Sequence, residues 1–353
     1  MTSASLRPVA GTAREVFALL RDWLTVGAAV DPLVVRTSGS SGLPKDVVLS
    51  REALLASARA THHRLGGPGR WMLDLPVHHV AGLQVLIRSV IAGSVPVVAA
   101  EHGGLPAALA AVSTERTYVS LVPTQLHRLA ESGLLGTLAR CEAVLVGGAF
   151  LSPRLAVAAG EAGVRVVRTY GMSETGGGCV YDGVALDGVG IKVDGGGQVH
   201  LAGPMLFERY DNDPEATKAV FRDGWFATAD LGELDADGRL RVLGRGDDVV
   251  ISGGVNVSLP AVTEALTACV GVRDAVAVGI PDDEWGARVV ACVVGTSGVV
   301  PLTVLRDAVE SAGLPRTWGP RDVVTLERLP LLASGKVDRV ALRAAAAAAS
   351  TQG

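Results

Sequence analysis

The sequence predicts an α/β protein with a large N-terminal domain of mainly parallel sheets and helices plus a β-rich subdomain, followed by a small C-terminal α+β domain. Up to residue 169, short β-branched runs alternate with helix-like segments, which is the pattern of a parallel sheet covered by helices. Between residues 183 and 243, short strand-like runs are separated by glycine and Asp-Gly turns, which favour antiparallel hairpins. After Gly244, a further series of strands and helices spans about 100 residues, a usual size for a domain.

The individual elements follow from local periodicity and composition. Apolar residues at helical spacing predict helices at 13–24, 52–64, 80–91, 260–268 and 302–312, with a fraying helix end at 344–349. Short apolar runs rich in β-branched residues predict strands at 34–36, 71–75, 95–99, 118–122, 143–146, 165–169, 249–252, 275–279 and 289–294. Ligands of an open α/β sheet bind at the carboxyl ends of its strands, so we expect a binding site in the loops there.

Charge and cysteine content limit the class of protein. The formal net charge of -4 over 353 residues offers no general basic surface for nucleic acid, although a local patch stays open. The four cysteines, Cys141, Cys179, Cys269 and Cys292, are far apart and form no C-x-x-C pair. This spacing indicates reduced thiols in a cytoplasmic protein, without a disulfide framework or a zinc site.

Membrane insertion is not expected from this sequence. The first 12 residues contain no apolar core of a signal peptide. The apolar segment 80–100 is the nearest to a membrane span, but Gln84, Arg88 and the break between Gly93 and Pro96 favour a buried helix and strand. The sequence leaves open whether the chain forms a homodimer.

One loop has the composition of a phosphate cradle. Glycine lets backbone amides approach an anion, hydroxyls add donors, and lysine supplies a mobile charge. The loop follows the strand at 34–36 and reads Thr37, Ser38, Gly39, Ser40, Ser41, Gly42, Leu43, Pro44, Lys45. It is not a Walker A loop, because Gly42 lies three residues before Lys45 and Asp46 follows. On composition alone, a flexible Gly/Ser connector is an equal alternative.

Lysine is rare in this chain. Of 32 basic residues only four are lysines, Lys45, Lys192, Lys218 and Lys336. Because arginine is the default cation, each lysine is a candidate for a position where a site needs a compact ammonium, although four cases do not establish this. This observation singles out Lys336, within Ser334-Gly335-Lys336, as a second candidate functional residue.

Five stretches together resemble the ordered signature motifs of the adenylate-forming acyl-CoA synthetases. They are 37–45, 170–175 (Tyr-Gly-Met-Ser-Glu-Thr), 224–230 (Gly-Trp-Phe-Ala-Thr-Ala-Asp), 244–254 and 334–336. Within that superfamily, segment 75–86 with its His78-His79 pair resembles the o-succinylbenzoate-CoA ligases of menaquinone biosynthesis, particularly the short actinobacterial-type members. The resemblance implies activation of o-succinylbenzoate by ATP with Mg²⁺ to an acyl-adenylate and pyrophosphate, followed by transfer to coenzyme A. Ligases for another aryl or medium-chain acid or for a carrier-protein thiol, and a non-catalytic nucleotide-binding homologue, are the alternatives.

The same resemblance assigns roles to individual residues. Contacts to the ATP phosphates are implied for Thr37, Ser38, Gly39, Ser40, Ser41, Gly42, Lys45 and Ser173, and contacts to adenine or ribose for Gly147, Gly148, Ala149, Tyr170, Gly171, Asp230 and Arg245. Glu174 corresponds to the magnesium-binding carboxylate, a hard oxygen ligand suited to that ion. His78, His79 and Arg88 correspond to the acyl pocket, Lys336 to the catalytic lysine of adenylation, and Asp247 to the hinge.

Plainer explanations exist for several of these residues. Asp230 could be a turn residue, and His78 and His79 could merely be packed at a strand end, although His79 is the better candidate to face the pocket. Arg88 lies in an apolar helix, where a structural salt bridge is the favoured role and binding of the second substrate carboxylate is the alternative.

The resemblance also implies a domain rotation between the two half-reactions. It divides the chain into an N-terminal domain, 1–244, and a mobile C-terminal lid, 245–353. The sequence departs from the family pattern in two places. Asp46 replaces the usual glycine and places a negative charge beside the cradle, whereas Ala261 and Thr263 replace acidic residues of the lid. The cradle itself is expected to tighten around ATP.

Overall fold

The computed structural model describes residues 10–25, 32–37, 45–112, 116–330 and 337–350, apart from the side chains of Asp247 and Ser350. The helices are α1 (Ala13–Thr25), α2 (Arg51–Arg64), α3 (Val80–Ile91), α4 (Leu105–Ala111), α5 (Pro123–Glu131), α6 (Pro153–Glu161), α7 (Pro214–Val220), α8 (Leu259–Thr267), α9 (Leu302–Ser311) and α10 (Arg339–Ser350). The strands are β1 (Leu33–Arg36), β2 (Asp46–Leu49), β3 (Arg70–Leu73), β4 (Val97–Val98), β5 (Thr117–Leu121), β6 (Ala143–Val146), β7 (Val166–Met172), β8 (Gly177–Tyr181), β9 (Val184–Ala185), β10 (Gly190–Val193), β11 (Gln198–Ala202), β12 (Arg209–Tyr210), β13 (Phe221–Arg222), β14 (Trp225–Leu234), β15 (Leu240–Arg245), β16 (Val249–Ser252), β17 (Val255–Ser258), β18 (Val272–Asp282), β19 (Gly286–Gly295) and β20 (Asp322–Thr325).

The largest sheet has seven strands in the order β4-β3-β5-β6-β7-β8-β9. The neighbours from β4 through β7 are parallel, and β8 and β9 extend the sheet antiparallel. Strands β5 and β6 are buried along their whole length, as expected where helices cover both faces of a parallel sheet. The predicted fold class is therefore confirmed, and α3 has the bounds that its apolar periodicity predicts.

The β-rich region is a five-stranded antiparallel sheet in the order β10-β11-β14-β13, with β15 also paired to β14. The Asp223-Gly224 turn joins β13 to β14, with φ values of +50° and +80° at its two central residues. Such positive angles define the hairpin turn that an Asp-Gly pair favours. This sheet carries Asp230 on β14 and Arg245 on β15.

The C-terminal sheet has the order β17-β16-β19-β18, with β20 parallel to β19. Alternate residues of β18 pack into different cores, because side chains of a strand point to opposite faces. Ala275 and Ala277 contribute to the core with α8 and α9, whereas Val276 and Val278 contribute to the core with Leu342 of α10. The sheet is thus covered by helices on both faces.

The strands beside the cradle form an antiparallel hairpin, which the sequence interpretation missed. Strand β1 pairs with β2 from Leu33↔Leu49 to Arg36↔Asp46, and β12 adds a third antiparallel strand next to β2. The expectation that the cradle leaves a strand of the parallel sheet was therefore wrong. Strand β2 has only four residues between a Gly/Ser/Pro loop and α2, so local periodicity gave no separate signal for it.

Two further expectations concern membrane insertion and thiols. Among the described helices, none is long and apolar enough to cross a membrane, and segment 80–100 contains α3 and β4. All four cysteines are free, and Cys141, Cys179 and Cys292 are buried. Burial raises the pKa of the Cys179 thiol to about 12, so this buried sulfur remains a neutral thiol.

Candidate active site

The two described ends of the cradle are fastened to each other. The amide of Thr37 donates to the carbonyl of Lys45 over 2.8 Å, and the amide of Lys45 donates to Oγ1 of Thr37, also over 2.8 Å. Residues Ser38, Gly39, Ser40, Ser41 and Gly42 lie outside the described part of the chain. Their phosphate-binding role stays a prediction, but the hairpin closes the base of the loop that contains them.

The unusual Asp46 carboxylate is paired with Arg36. Nε and Nη2 of Arg36 donate to the two carboxylate oxygens of Asp46, each over 2.8 Å, and the two residues lie opposite each other in the β1–β2 register. The Arg36 guanidinium lowers the pKa of Asp46. The negative charge that replaces the usual glycine is therefore balanced next to the cradle.

Lys45 and Glu174 are linked through one tyrosine. The ammonium of Lys45 lies 4.3 Å from the ring centroid of Tyr210, a distance typical of a cation–π contact. The hydroxyl of Tyr210 donates to Oε1 of Glu174 over 2.9 Å. Burial, followed by the charge of Glu174, raises the pKa of Tyr210, so this hydroxyl remains a proton donor at neutral pH. Sequence reasoning missed Tyr210, although it is one of only four tyrosines in the chain.

The residues around Glu174 suit a magnesium ion that is held jointly with a nucleotide. Glu174 lies in the short 3-10 turn Ser173–Thr175, and it forms no ion pair with a basic side chain of the described residues. Among those residues, no group of three His, Cys, Asp or Glu side chains could hold a metal. A single carboxylate is enough for Mg²⁺, because this ion keeps several waters and takes further ligands from phosphates.

Tyr170, Asp230 and Arg245 come together at the edge of the two neighbouring sheets. The hydroxyl of Tyr170 donates to Oδ2 of Asp230 over 2.8 Å, and Asp230 lies opposite Arg245 in the β14–β15 register. Burial raises the pKa of Asp230, while the bond from Tyr170 and the charge of Arg245 act in the opposite direction. Burial also raises the pKa of Tyr170, with Asp230 as the next cause. The hydrogen bond from Tyr170 thus fixes the orientation of the Asp230 carboxylate, and its predicted contact with ribose stays a prediction.

Glycines next to these residues lie against backbone without room for a side chain. A Cβ at Gly147 would lie 2.3 Å from Oγ1 of Thr169, and one at Gly171 would lie 2.1 Å from the carbonyl oxygen of Gly177. Gly148 and Ala149 continue the exposed turn after β6. The role predicted for this turn in adenine binding stays a prediction.

A cavity of about 130 Å³ opens beside these glycines. Apolar side chains line much of it, including Leu75, Val80, Leu121 and Leu145, while Gly147, Gly148 and Gly171 form part of its wall. Its polar lining includes Gln84, Arg88 and Tyr181. The residues predicted for adenine binding and the cavity therefore share one wall.

Arg88 is a buried cation without a carboxylate partner in the described part of the chain. Its side chain lies 4.9 Å from the ring centroid of Trp71, and Nη2 is 3.5 Å from the hydroxyl of Tyr181. Its Nε has no hydrogen-bond partner, and the residue is 3% exposed. Burial lowers the pKa of Arg88. The structural salt bridge that the sequence favoured is thus not observed, because the charge faces a cavity.

The two histidines of the predicted acyl pocket are not among the residues that line the cavity. His78 and His79 are exposed just before α3, with ring centroids 4.4 Å apart. Neither is among the described residues that line the cavity, so the structure does not place His79 at the pocket wall. Their acyl-pocket role stays a prediction.

Of the predicted catalytic and hinge residues, only the backbone of Asp247 lies within the described part of the chain. Lys336 lies outside the described residues, and so does the side chain of Asp247, whose backbone forms a 3-10 turn, Gly246–Asp248. Arg339, at the start of α10, forms an ion pair with Asp248. This pair ties the chain that follows Lys336 to the turn at Asp247.

Comparison with known proteins agrees with this arrangement. Residues 32–206 match the model of the AMP-binding enzymes, and residues 261–336 match the C-terminal domain of the same enzymes. The chain is 46% identical over 332 residues to a probable 2-succinylbenzoate--CoA ligase of Mycobacterium tuberculosis, covering 90% of this chain and 86% of the relative. The chain belongs to the AMP-binding enzyme family. The resemblance inferred from the five motifs is thereby confirmed.

Further AMP-binding enzymes match across most of the chain. A 2-succinylbenzoate--CoA ligase of Listeria monocytogenes is 32% identical over 357 residues, covering 97% of this chain and 75% of the relative. The o-succinylbenzoate CoA synthetase of Bacillus subtilis, solved in complex with the acyl-adenylate OSB-AMP, superimposes with a TM-score of 0.73 at 30% identity. That match covers 88% of this chain and 68% of the solved one.

Proposed function

We propose that this AMP-binding enzyme activates o-succinylbenzoate with ATP to the acyl-adenylate and transfers the acyl group to coenzyme A, releasing AMP and pyrophosphate. The observation that carries the choice of substrate is Arg88, a buried guanidinium that lines a largely apolar cavity and has no carboxylate partner among the described residues. A buried charge is stable only when it is paired. A substrate with one carboxylate to activate and a second one to bind would supply that partner.

The position of the cavity supports this choice. It shares Gly147, Gly148 and Gly171 with the residues predicted to contact adenine, so an acid bound there would lie next to the nucleotide. The aliphatic side chains of the lining, such as Leu121 and Leu145, suit an aromatic ring. The curated relatives from Mycobacterium and Listeria and the solved Bacillus enzyme carry the name of this same activity.

The chain's own residues would divide the adenylation step between them. Asp230 would accept from the ribose hydroxyls, with Arg245 opposite it as a donor. Lys45 would bind the phosphates that leave, and Glu174 would hold Mg²⁺, which would neutralise phosphate charge when bound. Lys336 would stabilise the charge that develops between the carboxylate and the α-phosphate. These roles assume the domain division at 244/245, with Asp247 as the hinge of the lid.

The proposal also places the enzyme in menaquinone biosynthesis in the cytoplasm. The four free cysteines agree with a reducing compartment. ATP, coenzyme A and a small carboxylate are the partners that it requires.

Replacement of Arg88 tests the choice of substrate. Arg88→Met preserves much of the side-chain length and removes the charge. We expect kcat/KM for o-succinylbenzoate to fall by about 30- to 5000-fold, because loss of one partner of a buried charge pair costs about 2–5 kcal/mol. The matched substrate is an analogue that lacks only the carboxylate proposed to bind Arg88, because it keeps the carboxylate that is activated. The analogue without the carboxylate that binds Arg88 should be affected little by the replacement.

The result would contradict the proposal if Arg88→Met lowered activity with o-succinylbenzoate and with the analogue that lacks the Arg88-binding carboxylate by the same factor. An unchanged KM for o-succinylbenzoate in a folded variant would contradict it as well. Activity of the wild type with another aryl or medium-chain acid, but not with o-succinylbenzoate, would favour the alternative ligases.

A further inference from the structure

Tyr210 contacts two residues with predicted roles that come from separate sheets. Its ring lies beneath the ammonium of Lys45, at 4.3 Å from the centroid, and its hydroxyl donates to Oε1 of Glu174 over 2.9 Å. Lys45 precedes β2 of the three-stranded sheet, whereas Glu174 follows β7 of the seven-stranded sheet. A single side chain therefore spans the space between a cation and a carboxylate.

The surroundings of Tyr210 fix its ring. Its amide donates to Oγ1 of Thr217 over 2.9 Å, and it lies opposite Val47 in the register of β12 and β2. The ring also packs against Phe207, with centroids 4.8 Å apart. The amide of Phe207 donates to the carbonyl of Glu174 over 2.8 Å, so the same short segment is joined to the Glu174 turn through its backbone. With 5% of its surface exposed, Tyr210 is held in one orientation.

We propose that Tyr210 is a positioning residue that holds Glu174 for the metal–nucleotide complex and Lys45 for the phosphates. The hydroxyl bond to Oε1 fixes the carboxylate in one rotamer and leaves its other oxygen to a cation. The ring holds the Lys45 ammonium by a cation–π contact. The ammonium can therefore move to a phosphate without first breaking an ion pair with Glu174. This inference rests on the proposed function, in which both residues act on Mg·ATP.

Measurements of ATP binding without any carboxylic acid can distinguish the effect of the hydroxyl bond to Glu174 from that of the ring contact with Lys45. Calorimetry would measure the dissociation constant of ATP with Mg²⁺ and with EDTA. Tyr210→Phe keeps the ring and removes the hydroxyl, so we expect the constant with Mg²⁺ to rise about tenfold, as for loss of a hydrogen bond to a charged group. The constant in EDTA should change by less than about twofold. Tyr210→Leu removes both contacts, so both constants should rise.

Tyr118→Phe is the matched control. The hydroxyl of Tyr118 is also bonded, to the carbonyls of Leu65 and Gly67, but it lies outside the site. This variant should leave both dissociation constants unchanged. A double-mutant cycle of Tyr210→Phe with Glu174→Gln provides a second test, in which the two effects on Mg·ATP binding should be less than additive.

Three results would overturn the inference. They are an unchanged constant for Mg·ATP in Tyr210→Phe, an equal rise with Mg²⁺ and with EDTA, and strict additivity in the cycle. An equal rise would indicate that the tyrosine only supports the fold. Wild-type protein that binds ATP equally with and without Mg²⁺ would instead contradict the proposed role of Glu174, which distinguishes failure of the proposed function from failure of the role of Tyr210.

Discussion

The hydroxyl of Tyr170 donates to Oδ2 of Asp230 over 2.8 Å, and this bond joins the last part of the large sheet to the β-rich sheet. The bond from this neutral donor fixes one lone pair of the Asp230 carboxyl group in direction. The opposite Arg245 offers a further donor at the same edge. The two sheets thus orient this carboxylate, which would accept from the ribose hydroxyls in the proposed function.

Asp230→Asn should weaken nucleotide binding and stabilise the fold. Two bonds from a diol to a charged acceptor would be weakened, so we expect the dissociation constant of ATP to rise about 10- to 100-fold. Burial raises the pKa of Asp230, so ionisation destabilises the folded state at neutral pH. The melting temperature of the variant should exceed that of the wild type at pH 7.5, and the difference should shrink as the pH falls towards 4. A lower melting temperature at pH 7.5 would contradict this view of Asp230.

Lys336→Ala should separate the two half-reactions. We expect ATP–pyrophosphate exchange to fall about 10²- to 10³-fold, because an ammonium at the developing charge stabilises the transition state of adenylation. Thioester formation from supplied acyl-adenylate should be largely retained. Lys218→Ala, which changes an exposed lysine of α7, is the control and should affect neither reaction. Equal losses in both half-reactions of Lys336→Ala would contradict the assignment.

The pairing of Arg36 with Asp46 predicts an asymmetry between two variants. Asp46→Gly restores the usual residue, yet it should change the KM for ATP by less than about threefold, since exposed pairs contribute little. Arg36→Ala leaves the carboxylate unbalanced beside the cradle, and KM should rise about fivefold at low salt. Dissolved salt screens exposed charges, so this rise in KM should become smaller at about 0.5 M salt. A tenfold gain in ATP affinity for Asp46→Gly would show that the charge is not balanced.

His62 should make stability depend on pH. Its Nε2 accepts from Nε1 of Trp71 over 3.1 Å, and burial, assisted by the charge of Arg88, lowers the pKa of His62 to about 4. The unfolded chain binds the proton near pH 6.5, so this contribution to stability is present above pH 6.5 and is lost as the pH falls towards 4. His62→Gln keeps an acceptor for Trp71 without titrating. Thermal melting between pH 7.5 and 5 should therefore show a smaller decrease for the variant, and an equal decrease would refute the role of His62.

Local periodicity predicted much of the fold. Continuous apolar runs identified β6, whose bounds agree with the sequence prediction, and the period of 3.6 identified α3. The hairpin beside the cradle was missed, because β2 is too short for periodicity and its pairing with β1 is a property of chain geometry. The Asp223-Gly224 turn could be predicted from the sequence, because its conformation depends on two adjacent residues.

The residues of the candidate site could likewise be predicted only in part from the sequence. Motif resemblance selected Tyr170, Asp230 and Arg245, which the structure brings together. It could not show that Arg88 has no carboxylate partner among the described residues, because that depends on which carboxylates the fold brings near α3. Tyr210 carried no motif that distinguished it, since its two contacts come from residues far away in the sequence.

The most direct test of the central claim is ATP–pyrophosphate exchange by the wild-type protein with a panel of carboxylic acids. The panel should contain o-succinylbenzoate, its two mono-carboxylate analogues, benzoate and medium-chain fatty acids. We expect exchange that depends on o-succinylbenzoate, with kcat/KM at least about 30-fold above that for an analogue unable to pair with Arg88. Equal exchange with the acids that lack the second carboxylate, or no exchange with o-succinylbenzoate, would contradict it.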